Sequence, residues 1–256
     1  PEILSQPVDL ELVVGQTGQF RVTATGKTPI GWEWRKGGEV IDGANESALL
    51  IEEIVPADEG EYQAVLSNDL GSVTSQTARL VVLVPPTIVK SPEARSVNLG
   101  GVTQLTVEAT GTGPLAYQWY HDGEPLEGAV QETLPITNAG IDSQGQYFVE
   151  VSNKAGQAES APVQLEVNLP VQWVQQLRDR GVRALKDVVL KVEVEGTGPM
   201  TYQWRREGRV IEGAIGPELL LESITENQAG VYEVTVSNMV NSLTSSGGLE
   251  VTQGPE

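Results

Sequence analysis

The chain has 256 residues, with 35 acidic against 16 basic residues, a formal net charge of −19 and no cysteine. This balance argues against nucleic acid, whose phosphates must be met by Lys and Arg, and against docking on anionic lipid; an acidic surface of this kind serves solubility. The absence of cysteine excludes disulfides, thiolate metal sites and cysteine nucleophiles together, and no apolar run approaches the ~18 residues of a membrane-crossing helix.

The length suits two or three ordinary domains. The chain starts at Pro1 without a signal-peptide pattern. It reads as a fragment of something longer, so the lack of a targeting segment carries no information on location.

In chain order, the first alternating stretch is F-R-V-T-A-T at residues 20–25, apolar and polar in turn, as a half-buried strand requires. A G-K-T-P turn follows, then a strand carrying Trp34, a K-G-G-E turn, and the strand Y-Q-A-V-L at residues 62–66. The same order returns with L-T-V-E-A-T at residues 105–110, G-T-G-P, Trp119, H-D-G-E and Y-F-V-E-V, and again with L-K-V-E-V-E at residues 190–195, Trp204, R-E-G-R and Y-E-V-T-V. Short strands separated by Gly and Pro indicate an all-β sandwich or barrel. No segment sustains a 3.6-residue period; only the residues near 57–60 suggest a single helical turn.

The recurrence is strict. Trp34, Trp119 and Trp204 stand 85 residues apart, and so do Tyr62, Tyr147 and Tyr232, the glycines at 26, 111 and 196, and Asn68, Asn153 and Asn238. From the first of these glycines to the last asparagine no insertion or deletion interrupts the interval. This predicts three tandem copies of one domain, over residues 1–84, 85–168 and 169–256.

These residues resemble the immunoglobulin superfamily, closest to its intermediate set. The features that carry the resemblance are a strand-C tryptophan after a Gly-x-x-Pro turn and a G-x-Y motif followed by S-N. The resemblance implies three tandem immunoglobulin-like β-sandwiches in an elongated array, with Tyr62, Tyr147 and Tyr232 at tyrosine corners. It also locates the missing inter-sheet cysteines: Val22, Val107 and Val192 in strand B, and Ala64, Val149 and Val234 in strand F. Loss of such a disulfide typically costs about 2–5 kcal/mol, and burying two valines offsets about 1.5–3 kcal/mol each. The smaller Ala64 makes the first copy the loosest at that spot unless a neighbour fills the gap.

The joints R-L-V-V-L-V-P-P-T-I and Q-L-E-V-N-L-P-V-Q-W contain no Gly/Ser spacer. Proline at Pro85, Pro86 and Pro170 favours extended backbone. Short, semi-stiff joints and a rod on the order of 100 Å are expected from strands rising about 3.3 Å per residue.

Charge is unevenly shared. The first copy has 5 basic and 13 acidic residues, the second 3 and 10, the third 8 and 12. The third copy's arginines group as Arg178, Arg180, Arg183 and as Arg205, Arg206, Arg209. The family places both segments in one sheet, making them a candidate patch for an acidic partner, such as the first copy of another chain. Solvated strand ends are the plainer reading.

Signals for chemistry are sparse. His121 beside Asp122 suggests a triad fragment, but its counterparts are Lys36 and Arg206, so it reads as an exposed turn residue. Glu52 and Glu53 read as a solvated edge rather than an acid/base pair. The joints have no D-x-D run to hold calcium, and Asp58, Glu59 and Glu61 read as a charged loop tip. The three asparagines fit tight hairpins; no lysine recurs at a core-facing position to form an isopeptide with them. Trp32 and Trp173 lie outside the repeat, and Trp173, near Pro170, is expected at a joint. No catalytic residue, cofactor or metal ligand is assigned.

Loss of cysteine fits two settings: a reducing compartment, as for sarcomeric immunoglobulin chains, or an extracellular bacterial protein of a lineage that uses few disulfides. Only six lysines and the uninterrupted repeat favour the second. The expectation is a non-catalytic structural or adhesive fragment of a bacterial surface or secreted protein, binding protein or glycan or itself. Sarcomere-type cytoplasmic scaffold domains, or an accessory module of an extracellular enzyme, are the alternatives.

Overall fold

The computed structural model describes residues 1–253. Over these residues it is all-β apart from three single turns of 3-10 helix, Pro56–Asp58, Ile141–Ser143 and Glu226–Gln228, the first of them where a helical turn was expected and the other two at the equivalent places of the later copies. By its contacts the chain divides into two compact units: one of Pro1–Pro92, Thr106–Leu134 and Tyr147–Pro162, the other of Glu93–Leu105, Pro135–Gln146 and Val163–Glu256.

In the first unit the first copy is complete. Its larger sheet runs in the order Leu10–Val13, Ala78–Leu83, Gly60–Asn68, Gly31–Lys36, Glu39–Val40. Leu10–Val13 and Ala78–Leu83 are parallel, with Leu80 opposite Leu10; the other pairs are antiparallel, with Trp34 opposite Ala64. Glu2–Ser5 pairs with Thr23–Thr25, and Gly18–Arg21 with Ala48–Ile51. The N-terminal segment thus leaves one ladder after Ser5 and joins the other sheet at Leu10. The second unit holds the third copy, ordered Arg180–Arg183, Ser242–Thr252, Gly230–Ser237, Thr201–Arg206, Arg209–Val210. Of the middle copy, Ala116–His121 pairs with residues 147–152 in the first unit, and Arg95–Asn98 runs parallel to Val163–Asn168 in the second.

The alternation read from the sequence becomes burial. Trp34, Trp119 and Trp204 are fully buried. Each donates its indole N–H to a carbonyl twelve residues on: Glu46 at 2.9 Å, Gln131 at 2.8 Å and Gly216 at 2.8 Å. Val22, Val107, Val192, Ala64, Val149 and Val234 are all buried at the cysteine positions. In the same core as Ala64, Phe20 stands where the other copies have Leu105 and Leu190. Its ring lies 4.8 Å from that of Tyr62 and 6.2 Å from Trp34.

The tyrosine hydroxyls close their corners on the backbone. Tyr62 donates to Asp58 O at 2.7 Å and Tyr232 to Gln228 O at 2.8 Å. Burial, and then the nearby Asp58 carboxylate, push the Tyr62 phenol up to about 12; burial and Asp122 raise Tyr147. The phenol therefore stays a donor throughout the physiological range.

The third copy departs from the other two in its last strand. In the first copy Val65 faces Thr74 while Tyr62 faces Ala78, so one extra residue bulges out near Gln76. Ser75 Oγ accepts the Ala64 N–H there at 2.9 Å, and Ser160 Oγ does the same for Val149 at 3.1 Å. In the third copy Ser242–Thr252 pairs with Gly230–Ser237 without a shift. The bulge is gone, and Ser245 Oγ accepts the Leu177 N–H at 3.0 Å instead. The crossing segment lies so close that a Cβ on Gly247 would fall 2.8 Å from Arg178 O.

Candidate functional site at the joints between repeats

Each joint lies inside one of the two units and is built to the same plan. Leu83 belongs to the first copy: it pairs with Val13, and its carbonyl accepts the Val14 N–H at 3.0 Å. The next residue, Val84, is held by the second copy. Its N–H donates to Thr112 Oγ1 at 2.8 Å, and its carbonyl accepts from Thr112 N at 3.0 Å and Asn153 Nδ2 at 2.8 Å.

The second joint repeats this one period later. Asn168 O accepts the Leu99 N–H at 2.9 Å, and Leu169 is gripped from the other side. Leu169 donates to Thr197 Oγ1 at 2.8 Å and accepts from Thr197 N at 3.1 Å and Asn238 Nδ2 at 2.8 Å. No residue lies between the two grips at either joint. The prolines that follow offer no N–H and need no partner. Glycine is required opposite them: a Cβ on Gly111 would stand 3.1 Å from Pro85 O, and one on Gly196 2.6 Å from Pro170 O.

The asparagines do two jobs. Their Oδ1 atoms close the hairpin as expected, accepting from Leu70 at 3.0 Å, Ala155 at 2.8 Å and Val240 at 2.9 Å. Their Nδ2 groups reach further, to Thr112 O and Thr197 O at 2.8 Å each as well as to the linker carbonyls. One side chain thus ties hairpin, neighbouring loop and linker together. A reading confined to local turn chemistry misses the second job. The signal for it was the shared recurrence of Asn153 with Thr112 and Asn238 with Thr197. In the first copy Asn68 Nδ2 donates to Lys27 O at 2.8 Å, and Lys27, in the threonine's place, pairs with Asp69.

The joints differ in their additions. At the first, Lys154 Nζ lies 3.1 Å from Glu11. Both side chains are exposed, so the pair contributes about 0–1 kcal/mol and weakens with salt. The corresponding residues of the second joint are Ser96 and Met239.

Five of the third copy's six arginines lie in one sheet, on opposite sides of its two middle strands, and Arg178 precedes the sheet. Arg180 and Arg183 are on the edge strand Arg180–Arg183, while Arg205, Arg206 and Arg209 are on Thr201–Arg206 and Arg209–Val210, with two strands between. Arg178 and Arg180 line a groove of about 540 Å³ with Val174, Val189 and Lys191. Asp179 and Glu193 share that groove, and Arg180 donates to Val189 O at 3.2 Å.

His121 is not the exposed turn residue its neighbours suggested. Its side chain is 19% exposed, and its ring stacks on Tyr147 at 4.3 Å. The register explains this, because His121 lies opposite Tyr147 as Lys36 lies opposite Tyr62. Lys36 likewise sits 5.8 Å from the Tyr62 ring. Glu52 and Glu53 are exposed. Trp32 packs half-buried on the first copy's core and Trp173 on the third copy's. Among the described residues no group of three or more His, Asp or Glu is placed to hold a metal ion.

Comparison with known proteins agrees with this architecture. The immunoglobulin I-set domain matches residues 1–82 and a further immunoglobulin domain matches residues 85–153. Muscle M-line assembly protein unc-89 of Caenorhabditis elegans is 26% identical over 95% of this chain, which spans 3% of that protein. Human leucine-rich repeats and immunoglobulin-like domains protein 1 is 27% identical over 93% of the chain, which spans 25% of it. The I-band fragment I67-I69 from titin superposes with a TM-score of 0.79 at 24% identity, over 98% of both chains.

Proposed function

This chain belongs to the immunoglobulin family, and on that premise we propose that it is a non-catalytic, semi-rigid spacer and binding array within a longer protein. Its domains are residues 1–84, 85–168 and 169–256. The observation that carries the reading is the direct hand-off at both joints, where Leu83 and Val84, then Asn168 and Leu169, are fixed to different copies with nothing between. A flexible linker would need residues free of both neighbours. A spacer holds binding faces apart, and the faces and loops of such sandwiches take protein ligands or a second copy of the chain. Glycan remains within this proposal, and the arginines of the third copy are its candidate cationic contacts.

For location, few lysines and an unbroken repeat support a bacterial surface or secreted array. A second reading, an intracellular scaffold, is supported by the likeness to the muscle M-line protein. Aliphatic pairs in place of cysteines keep the fold independent of redox state in either setting.

The spacer reading is tested by energy transfer between dyes placed on the first and third copies. A single narrow distance distribution, broadened in the N153A/N238A variant, is the expected result. A broad distribution in the unaltered chain overturns it.

A further inference from the structure

Val171 and Asn241 occupy the places of Pro86 and Gly156 in the second copy, and of Pro1 and Gly71 in the first. Both members of the pair change together in the third copy, and the geometry shows why. Proline has no N–H; Val171 has one, and at 2% exposure it is out of reach of water. That N–H donates to Asn241 Oδ1 at 2.6 Å, and Asn241 Nδ2 donates back to Val171 O at 3.2 Å. The side-chain amide thus takes both polar groups of one backbone residue.

The hairpin of the third copy keeps the turn bonds of the second, where Gly156 N likewise donates to Asn153 Oδ1 at 3.1 Å, and differs in the residue placed after the turn. Gly71 and Gly156 have φ of +141° and +159°, and Asn153 pairs directly with Gly156 across a two-residue turn. In the third copy the ladder stops at Ser237 and Ser242. Asn238 N donates to Asn241 O at 3.0 Å, and Asn241 N to Asn238 Oδ1 at 3.1 Å. Asn238 therefore holds the carbonyl of Leu169 while orienting its neighbour toward Val171.

We propose that Asn241 is the specificity-determining residue of the second joint: its amide recognises a non-proline backbone at position 171, so Val171/Asn241 and Pro86/Gly156 are two matched pairs that cannot be mixed. Valine with glycine leaves a buried N–H without an acceptor. Proline with asparagine leaves an amide oxygen without its donor. The hairpin of the third copy is therefore not interchangeable with those of the first two, which share the Pro/Gly pair. Only the consequence for orientation rests on the spacer reading; the clamp itself is measured separately, so the two fail independently.

The test uses the whole chain and follows amide exchange at Val171 and at Thr112 by NMR, with thermal unfolding, for N241G, V171P and V171P/N241G. N241G is expected to speed exchange at Val171 by about ten-fold or more while Thr112 is unchanged. The double variant is expected to melt above N241G, a non-additive effect. N241D retains the acceptor and is expected to keep Val171 protected. If N241G leaves Val171 exchange at the wild-type rate, or if the two single effects simply add, the pairing is wrong.

Discussion

Asn153 donates its side-chain amide to the carbonyl of Val84, 69 residues earlier in the chain, at 2.8 Å. The same amide group serves Thr112 O at 2.8 Å, so a hairpin asparagine fixes both the linker and the adjoining loop. Single polar side chains thus take part, with backbone bonds from the same loops, in fixing the linker at each joint.

Replacing Asn153 or Asn238 by alanine removes two such bonds each. A loss of about 1–3 kcal/mol is expected, with a broader distance distribution between neighbouring copies. N68A removes one amide-donated bond, to Lys27 O, where the other two variants each remove two, and is expected to cost less. Thermal unfolding of the three single variants checks the ranking.

Ser160→Ala leaves the N–H of the buried Val149 without its hydroxyl acceptor. The expected cost is about 1–3 kcal/mol, with S75A similar, because a buried unsatisfied donor bears its full desolvation penalty. In denaturant titrations the midpoint should fall while the slope stays constant.

Phe20 takes the place of the other copies' leucine in the one core where alanine, Ala64, holds the strand-F position. F20L is expected to destabilise by about 1–3 kcal/mol through the space it opens. F20L/A64V reproduces the arrangement of the other copies, Leu105 with Val149 and Leu190 with Val234. The double variant should recover part of the loss, a coupling measurable in a double-mutant cycle.

Alkaline titration probes the tyrosine corner. The folded-state pKa of Tyr62 is raised, from 10.0 to about 12, so its contribution to stability is fully present below pH 10 and disappears as pH climbs through 12. Y62F also loses the bond to Asp58 O, a cost of about 0.5–1.5 kcal/mol at neutral pH. Stability of the unaltered chain should fall more steeply than that of Y62F between those pH values, as followed by chemical denaturation.

Much of the fold was legible from residue spacing. The 85-residue interval pointed to three copies of one domain, and the resemblance to immunoglobulin domains implied a strand-C place for Trp34, Trp119 and Trp204, which are buried. Turn chemistry also marked the asparagine hairpins. Other features were hidden because they depend on partners far apart in sequence. His121 looked like a turn residue until strand pairing set it against Tyr147. The roles of Ser75, Ser160 and Ser245 carried no local signal, since nothing nearby in sequence shows whether a strand bulges and leaves an N–H to be served.

By itself, the sequence determined the strand periodicity, the three-fold repeat and the proline-marked joints, while the resemblance to immunoglobulin domains supplied the core positions that lack cysteine. The periodicity and the joints follow from side-chain alternation and backbone restriction over short spans. Tertiary structure alone decided that Asn153 and Asn238 grip the preceding linker and that Val171 and Asn241 form a clamp. Each of these depends on which backbone groups are left without a partner once distant strands have closed over them, and a buried N–H or carbonyl must find that partner wherever the fold has brought one.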